Sequence, residues 1–183
     1  IYVFDFSKIK YSDLSEFIDS KELILQLPKE KREEIQSISS LSLRYMKLLA
    51  TLFLRYQCAN RTGLSDDELC FHKNALGKPY LSGSCLQTHI TQPHVHFSLS
   101  YTKNAFACAF SSAPVGVDIE RLSPLTVLPA RFLSPDEQSY CTNGCVSPPG
   151  ENDPHKSCDL QRFYKIWTRK EAYTKMLGQG LAM

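Results

Sequence analysis

Two groups of charged residues in this chain are spaced so that together they could act on a phosphate. Asp118 and Glu120 lie two apart in GVDIE, and the alternating apolar pattern predicts a strand over Val115 to Glu120. Side chains alternate across a strand, so both carboxylates project from one face. Two adjacent carboxylates repel, which favours a cation between them. Mg²⁺ takes oxygen ligands and usually keeps water and substrate phosphate in its shell. A solvated strand with Arg121 as partner would show the same residues, and Asp-x-Glu alone is a common pattern.

The second group is WTRKEAYTK, in which Trp167, Glu171 and Lys175 recur at i, i+4 and i+8. That spacing sets them along one stripe of a helix. An acid followed one turn later by a base also describes an ordinary exposed helix pair. Beside Asp118 and Glu120, however, Glu171 becomes a third oxygen ligand and Lys175 a cation for a phosphate. The four residues then form a chemically sensible Mg²⁺–phosphate site.

Elements must bring these groups together. Ile1 to Phe6 reads as a strand, and Ser12 as the cap of a short helix over Asp13 to Ile18. Pro28 suits a first helical turn before KEKREE. A longer helix is expected from about Ser42 to Asn60, with Gly63 placed to end it. From Leu69 the runs ELCFH, KPYL, HVHFSLS and AFACAF, separated by Asn, Gly and Ser, read as antiparallel strands. A polar break at Ser111 to Pro114 divides the chain into two units, 1–111 and 112–183. Ser134-Pro135-Asp136-Glu137 is a helix start with a capping box. Thr142 to Ser157 reads as an exposed loop, and a helix from about Asp159 to Leu177 is stopped by Gly178. Strands gathered after helices indicate an α+β fold.

Composition bounds the rest. The chain has 183 residues, 43% hydrophobic and 22% charged, enough for a sizeable core and unlike a disordered chain. A net charge of +2 does not point to nucleic acid. The longest strongly apolar run, Leu48 to Leu54, is far short of the roughly 20 residues that cross a bilayer. No signal peptide is evident, so a cytoplasmic protein acting away from membranes is expected. Seven cysteines, an odd number in a chain this long, suggest free thiols rather than a disulfide framework. The chain starts at Ile1 and stops just past a helix-ending signal, which suggests residues missing at one or both ends.

Other groups carry less. Cys141, Cys145, His155 and Cys158 fall near zinc-finger spacing with nothing else in support. His89, His94 and His96 read as surface histidines, and Cys58 and Cys108 as buried filler.

GVDIE resembles the G-x-D-x-E signature of the 4′-phosphopantetheinyl transferases, and WTRKEAYTK resembles their W-x-x-K-E-A-x-x-K signature. GKP at Gly77 to Pro79 and FSLS at Phe97 to Ser100 resemble two further motifs that precede the acidic pair. All four occur in the family's order, over roughly Lys31 to Leu181. The layout is similar to the broad-range type that activates peptide and polyketide synthetases. The resemblance implies a pseudo-dimer of two similar α+β lobes, with the active site in the cleft between them and the C-terminal lobe incomplete. It implies transfer of the phosphopantetheine arm of coenzyme A to a serine of an acyl or peptidyl carrier domain, with release of 3′,5′-ADP. Asp118, Glu120 and Glu171 match the family's Mg²⁺ ligands. Lys175 matches a phosphate contact, and Glu171 is also the best candidate for the base on the incoming serine. Lys31, Arg44, Lys78, Pro79, Ser100 and Tyr101 fall at or near coenzyme A contacts. Tyr101 stands where the family usually has a histidine, and can still donate one hydrogen bond. Glu137 aligns with another acid near the family's site, although its capping box already explains it. Leu122, Leu125 and Val127 are candidate carrier contacts, and the enzyme is expected to be a monomer. The alternatives are another Mg²⁺-dependent phosphoryl or nucleotidyl transferase, or a degenerate module that binds coenzyme A or a carrier without turnover.

Overall fold

The structure is a computed structural model that describes residues 1–8, 21–84, 95–123, 130–142 and 154–178. Strand β1 (Tyr2–Asp5) pairs antiparallel with β5 (Ala105–Ser111), which pairs antiparallel with β4 (His96–Thr102), giving the order β1-β5-β4. Register sorts this sheet into two unlike faces. Ser98 stands opposite Ala109 and Ser100 opposite Ala107, so one face carries small side chains. The other carries Phe97 opposite Phe110, Leu99 opposite Cys108 and Tyr101 opposite Phe106. β1 adds Tyr2 and Phe4 to that bulky face.

Helix α1 (Lys21–Leu25) and helix α2 (Lys29–Gln36) lead into α3 (Leu41–Thr62), which covers the bulky face. Phe53 of α3 meets Tyr2 and Phe4 edge-on at 5.0 and 4.7 Å. Leu54 and Cys58 pack with Phe97 and Cys108, and Met46 and Ala50 with Phe106. Ser40 caps α3 by accepting from the Leu43 amide, and Gly63 ends it in the left-handed conformation that costs glycine least. The charged α2 is anchored by buried Ile35 against Tyr45 and Leu48. Pro28 occupies its N-cap rather than its first turn.

A second sheet is the hairpin of β2 (Leu69–Lys73) and β3 (Pro79–Ser84). Its turn is built by Asn74, whose Oδ1 accepts from the amides of Leu76 and Lys78.

The small face of the first sheet receives residues 115–119. Val117 packs on Ala107 and Ala109, flanked by Val115 and Ile119. The strand expected over Val115 to Glu120 is not formed: the segment belongs to no ladder. Its amides go to side chains instead, Val117 N–H to Ser98 Oγ at 3.1 Å and Ile119 N–H to Ser100 Oγ at 3.3 Å. Bulky residues at 98, 100, 107 and 109 would hold the segment away from the sheet.

Helix α4 (Pro135–Thr142) and helix α5 (Pro154–Leu177) pack through Leu133, Cys141, Phe163 and Trp167. The capping box is present, with Ser134 N–H on Glu137 Oε2 at 2.7 Å and Glu137 N–H on Ser134 Oγ at 3.3 Å. Helix α5 begins five residues before Asp159, at Pro154, whose fixed φ suits a first helical position. Gly178 ends it at φ 72°. Cys58 and Cys108 are buried thiols, each pushed up to about 12 by burial. Cys70 is disulfide-bonded, which departs from the expectation of free thiols throughout. The short helix expected over Asp13 to Ile18 lies outside the described residues, as do Cys145, His89, His94, Leu125 and Val127. Among the described residues no helix is long and apolar enough to cross a membrane.

Candidate active site

Two short-range constraints bring the acidic segment and α5 together. The serine hydroxyls fix residues 115–119 on the sheet, with Val117 turned inward and its neighbours Gly116 and Asp118 turned toward α5. Gly116 then lets the helix come close: a Cβ there would stand 1.8 Å from the Ala172 carbonyl oxygen and 2.6 Å from the Met176 amide nitrogen. The glycine of GVDIE and the alanine of KEA are therefore two sides of one contact.

That approach sets Lys175 on Asp118. Lys175 Nζ donates to Asp118 Oδ1 at 2.6 Å and to Ser100 Oγ at 2.7 Å, while Ser100 Oγ lies 2.8 Å from the same carboxylate oxygen. The Ser100 hydroxyl is fully used. It donates its one proton to Asp118 and accepts from Lys175 and Ile119. The Asp118 side chain is 4% exposed and that of Lys175 32%.

Glu171, one turn before Lys175, is also buried. Its carboxyl is held above the ordinary value of 4.5, first by burial and then by the charge of Asp118; Lys175 opposes this and Glu120 adds to it. Asp118 Oδ2 and Glu171 Oε1 are buried with no hydrogen-bond partner. Buried carboxylate oxygens are costly without a donor or cation, so both oxygens call for one. Glu120 lies at the exposed end of the segment.

Lys175 also reaches into a groove of about 1330 Å³ that extends along α2, α3 and the β2–β3 hairpin. Lys31, Lys47, Arg55, Lys73 and Lys78 line it, together with Phe71, Leu76, Pro79, Leu99 and Tyr101. Arg55 is committed to Asp66 at 2.7 Å. Glu34 sits among the lysines: burial raises its carboxyl, but the Lys31 ammonium at 2.6 Å and the charges of Lys73 and Lys47 hold it below the ordinary value. Lys47 lies 5.3 Å over the Tyr101 ring, and burial pushes the Tyr101 phenol up.

The expected site residues thus separate. Asp118, Lys175 and Ser100 bond to one another, and Glu171 lies within range of the charges of Asp118 and Lys175. Lys31, Lys78, Pro79 and Tyr101 line the adjoining groove. Ser100 and Tyr101, neighbours on β4, point to opposite faces of the sheet. Arg44 lies apart from the groove, with Nε and Nη2 on Ile38 O at 3.0 and 2.7 Å. Glu137 is bound by Lys170 at 2.6 Å, which ties α4 to the turn of α5 that carries Glu171. Cys141 is buried in the α4–α5 core.

Lys47 and Lys73 were not singled out from the sequence. Isolated lysines on a helix and at a strand end look like solvated positions until the fold sets them around one groove. Lys78 carries a second duty: its Nζ donates to Met176 O at 2.8 Å and Val115 O at 3.4 Å, closing the C-terminus of α5. Burial holds its pKa down. Lys78→Met should therefore cost about 2 kcal/mol through the lost charged hydrogen bond. Urea unfolding would read this, and an unchanged midpoint would remove Lys78 from the support of α5.

In this α+β protein an acidic pocket behind a lysine thus opens on a groove lined by basic side chains. Comparisons with known proteins add a family likeness. Residues 114–183 match the sequence model described as the 4′-phosphopantetheinyl transferase superfamily. The chain is 28% identical over 155 residues to a 4′-phosphopantetheinyl transferase of Bacillus subtilis, covering 84% of this chain and 61% of that one. Identity is 28% over 158 residues to the 4′-phosphopantetheinyl transferase gsp of Aneurinibacillus migulanus, covering 84% and 56%. It is 32% over 146 residues to the 4′-phosphopantetheinyl transferase pptA of Paxillus involutus, covering 73% and 52%. The chain spans about half to three-fifths of the length of these relatives. The C-terminal part of the chain thus carries the sequence pattern of that superfamily, and most of the chain is similar to these transferases.

Proposed function

We propose that this protein transfers the phosphopantetheine arm of coenzyme A to a serine of an acyl or peptidyl carrier domain, as the broad-range members of the superfamily it resembles do. The observation that carries the reading is the meeting of Asp118, Glu171 and Lys175 at the mouth of a lysine-lined groove. The groove, lined mostly by residues of the 1–111 unit together with Lys175 and Gly178, would take the nucleotide end of coenzyme A. Its lysines would face phosphates, and its apolar and aromatic side chains the uncharged parts. The 112–183 unit supplies the acids, and the reading treats the two as lobes around one cleft.

The donor set suits Mg²⁺. Two buried carboxylate oxygens from different segments lack a partner, the charge of Asp118 acts on Glu171, and both oxygens are hard ligands. Among the described residues no group of three or more acids, histidines or cysteines is placed to hold a metal ion, so an ion on Asp118 and Glu171 would take its remaining ligands from water and phosphate oxygens. Asp118 and Glu171 would hold the ion, with Glu120 exposed at the end of the same segment, and the ion would supply charge stabilisation to the departing nucleotide. Lys175 would bind the pyrophosphate. Glu171, with its raised pKa, would accept the proton of the carrier serine as that oxygen bonds to phosphorus; the bond from phosphorus to the oxygen of 3′,5′-ADP breaks. Leu122, 53% exposed just beyond Glu120, would be a contact for the carrier.

The test is formation of 3′,5′-ADP from coenzyme A on addition of an apo carrier domain. The reading expects release that requires both the carrier and Mg²⁺, and its absence with several carriers would remove it.

Glu171→Gln separates catalysis from stability. A raised folded pKa means that the native state disfavours the charged carboxylate, so the destabilisation is present above that pKa and relieved as pH falls through it. Glutamine should therefore raise the melting temperature by a few degrees at neutral pH, with the gap closing as pH falls. Transfer should fall by about 10² or more, as for loss of a general base. Unchanged turnover with a lowered melting temperature would leave Glu171 as an ordinary helix residue.

A further inference from the structure

We propose that the Lys175 ammonium is an internal stand-in for the divalent ion, and that its transfer from Asp118 to an incoming phosphate couples metal binding to nucleotide binding. The inference rests on the reading of the groove as a coenzyme A site.

Three observations carry it. Lys175 Nζ makes its two hydrogen bonds within the acidic pocket, to Asp118 Oδ1 and Ser100 Oγ, although its side chain also lines the groove. One ammonium bonds to Asp118 and reaches Glu171 only through its charge, and an oxygen of each carboxylate is left without a partner. Ser100 has no further lone pair or proton to offer, so it cannot make up the deficit. The pocket is therefore held by a single positive charge where a doubly charged ion would satisfy more oxygens.

The ammonium and a divalent ion compete for Asp118. With Lys175 in place, an arriving ion meets a carboxylate already engaged and a positive charge at close range. A phosphate in the groove would offer the ammonium another partner within the reach of its flexible stem. Once Lys175 turns to the phosphate, Asp118 and Glu171 are free to bind the ion. Linkage requires the converse: an ion on Asp118 releases Lys175 and strengthens phosphate binding by the same factor. In the absence of nucleotide, Lys175 keeps the acids from standing unpaired and keeps the metal weakly held.

The experiment is calorimetric titration of Mn²⁺, as a spectroscopically tractable substitute for Mg²⁺, into the nucleotide-free protein. Lys175→Met should bind Mn²⁺ at least about fivefold more tightly than the parent, the lower end of ordinary coupling factors. Lys175→Arg, which keeps the charge, should remain close to the parent. Equal or weaker Mn²⁺ binding by Lys175→Met would overturn the proposal. If Lys175→Met does not fold, the parent still decides. Its Lys175 ammonium should give a slowly exchanging ¹⁵N signal that is lost or shifted on saturation with Mg²⁺ alone; a signal unchanged at saturation overturns the coupling. Coenzyme A binding and 3′,5′-ADP release by the parent are measured alongside. If these are intact while the Lys175 tests fail, only this inference falls; if they are absent and no Mn²⁺ binds, the inference falls with the functional reading.

Discussion

Asp118→Ala should lower transfer from coenzyme A to an apo carrier at least a thousandfold, equivalent to about 4 kcal/mol of transition-state stabilisation, while leaving the fold in place. Asp118 is the point on which the other groups converge, touching Lys175 at 2.6 Å and Ser100 at 2.8 Å and raising the carboxyl of Glu171 by its charge. Its removal takes away one metal ligand and frees Lys175 from its position. The fold survives because the segment is held through Ser98, Val117 and Gly116 rather than through this carboxylate. Lys175, 32% exposed, can be solvated when its partner is lost. Asp118→Asn keeps the shape and removes the charge, so it should show most of the same loss. Comparing kcat/KM with the urea midpoint for both variants checks this. Activity within tenfold of the parent would contradict the assignment.

Gly116→Val should damage stability and activity together. Its Cβ would fall 1.8 Å from a helix backbone oxygen, and backbone cannot rotate aside as a side chain can. Helix α5 must move off the 115–119 segment, or the segment must leave the sheet. Overpacking of this kind costs about 3 kcal/mol or more where nothing can yield. Either movement carries Glu171 and Lys175 away from Asp118. Gly116→Ala should show the same effects in reduced form, because the clash begins at Cβ. Urea unfolding and coenzyme A titration read the two losses, and a fully stable, active Gly116→Val would mean that the close approach does not set the site.

Much of the site was legible because its chemistry sits in short-range patterns. The two-residue spacing of Asp118 and Glu120 marked an acidic pair on one extended segment, and the four-residue spacing of Glu171 from Lys175 put them on one face of a helix. The helix carries both residues. Alternation, however, reports which way side chains point and not which groups take the backbone hydrogen bonds. Residues 115–119 therefore read as a strand, although Ser98 and Ser100 hold them and no ladder forms. The two serines gave no sign of this duty, since it depends on the register that sets Ala107 and Ala109 beside them. The close approach at Gly116 was hidden for a similar reason: Ala172 lies 56 positions on, and only tertiary packing joins them. The basic groove was half legible. Lys78 stands in the GKP motif and Lys31 falls near an expected contact, whereas Lys47 and Lys73 reach the groove from elements that carry no motif.

In the proposed function this chain moves phosphopantetheine onto a carrier serine through Asp118, Glu171 and Lys175. Intact-mass measurement of an apo carrier domain, incubated with coenzyme A, Mg²⁺ and either the parent protein or Asp118→Ala, tests it most directly. The account predicts a carrier that gains one phosphopantetheine group with the parent and keeps its original mass with Asp118→Ala. A carrier whose mass never changes, or changes equally with both proteins, would contradict it.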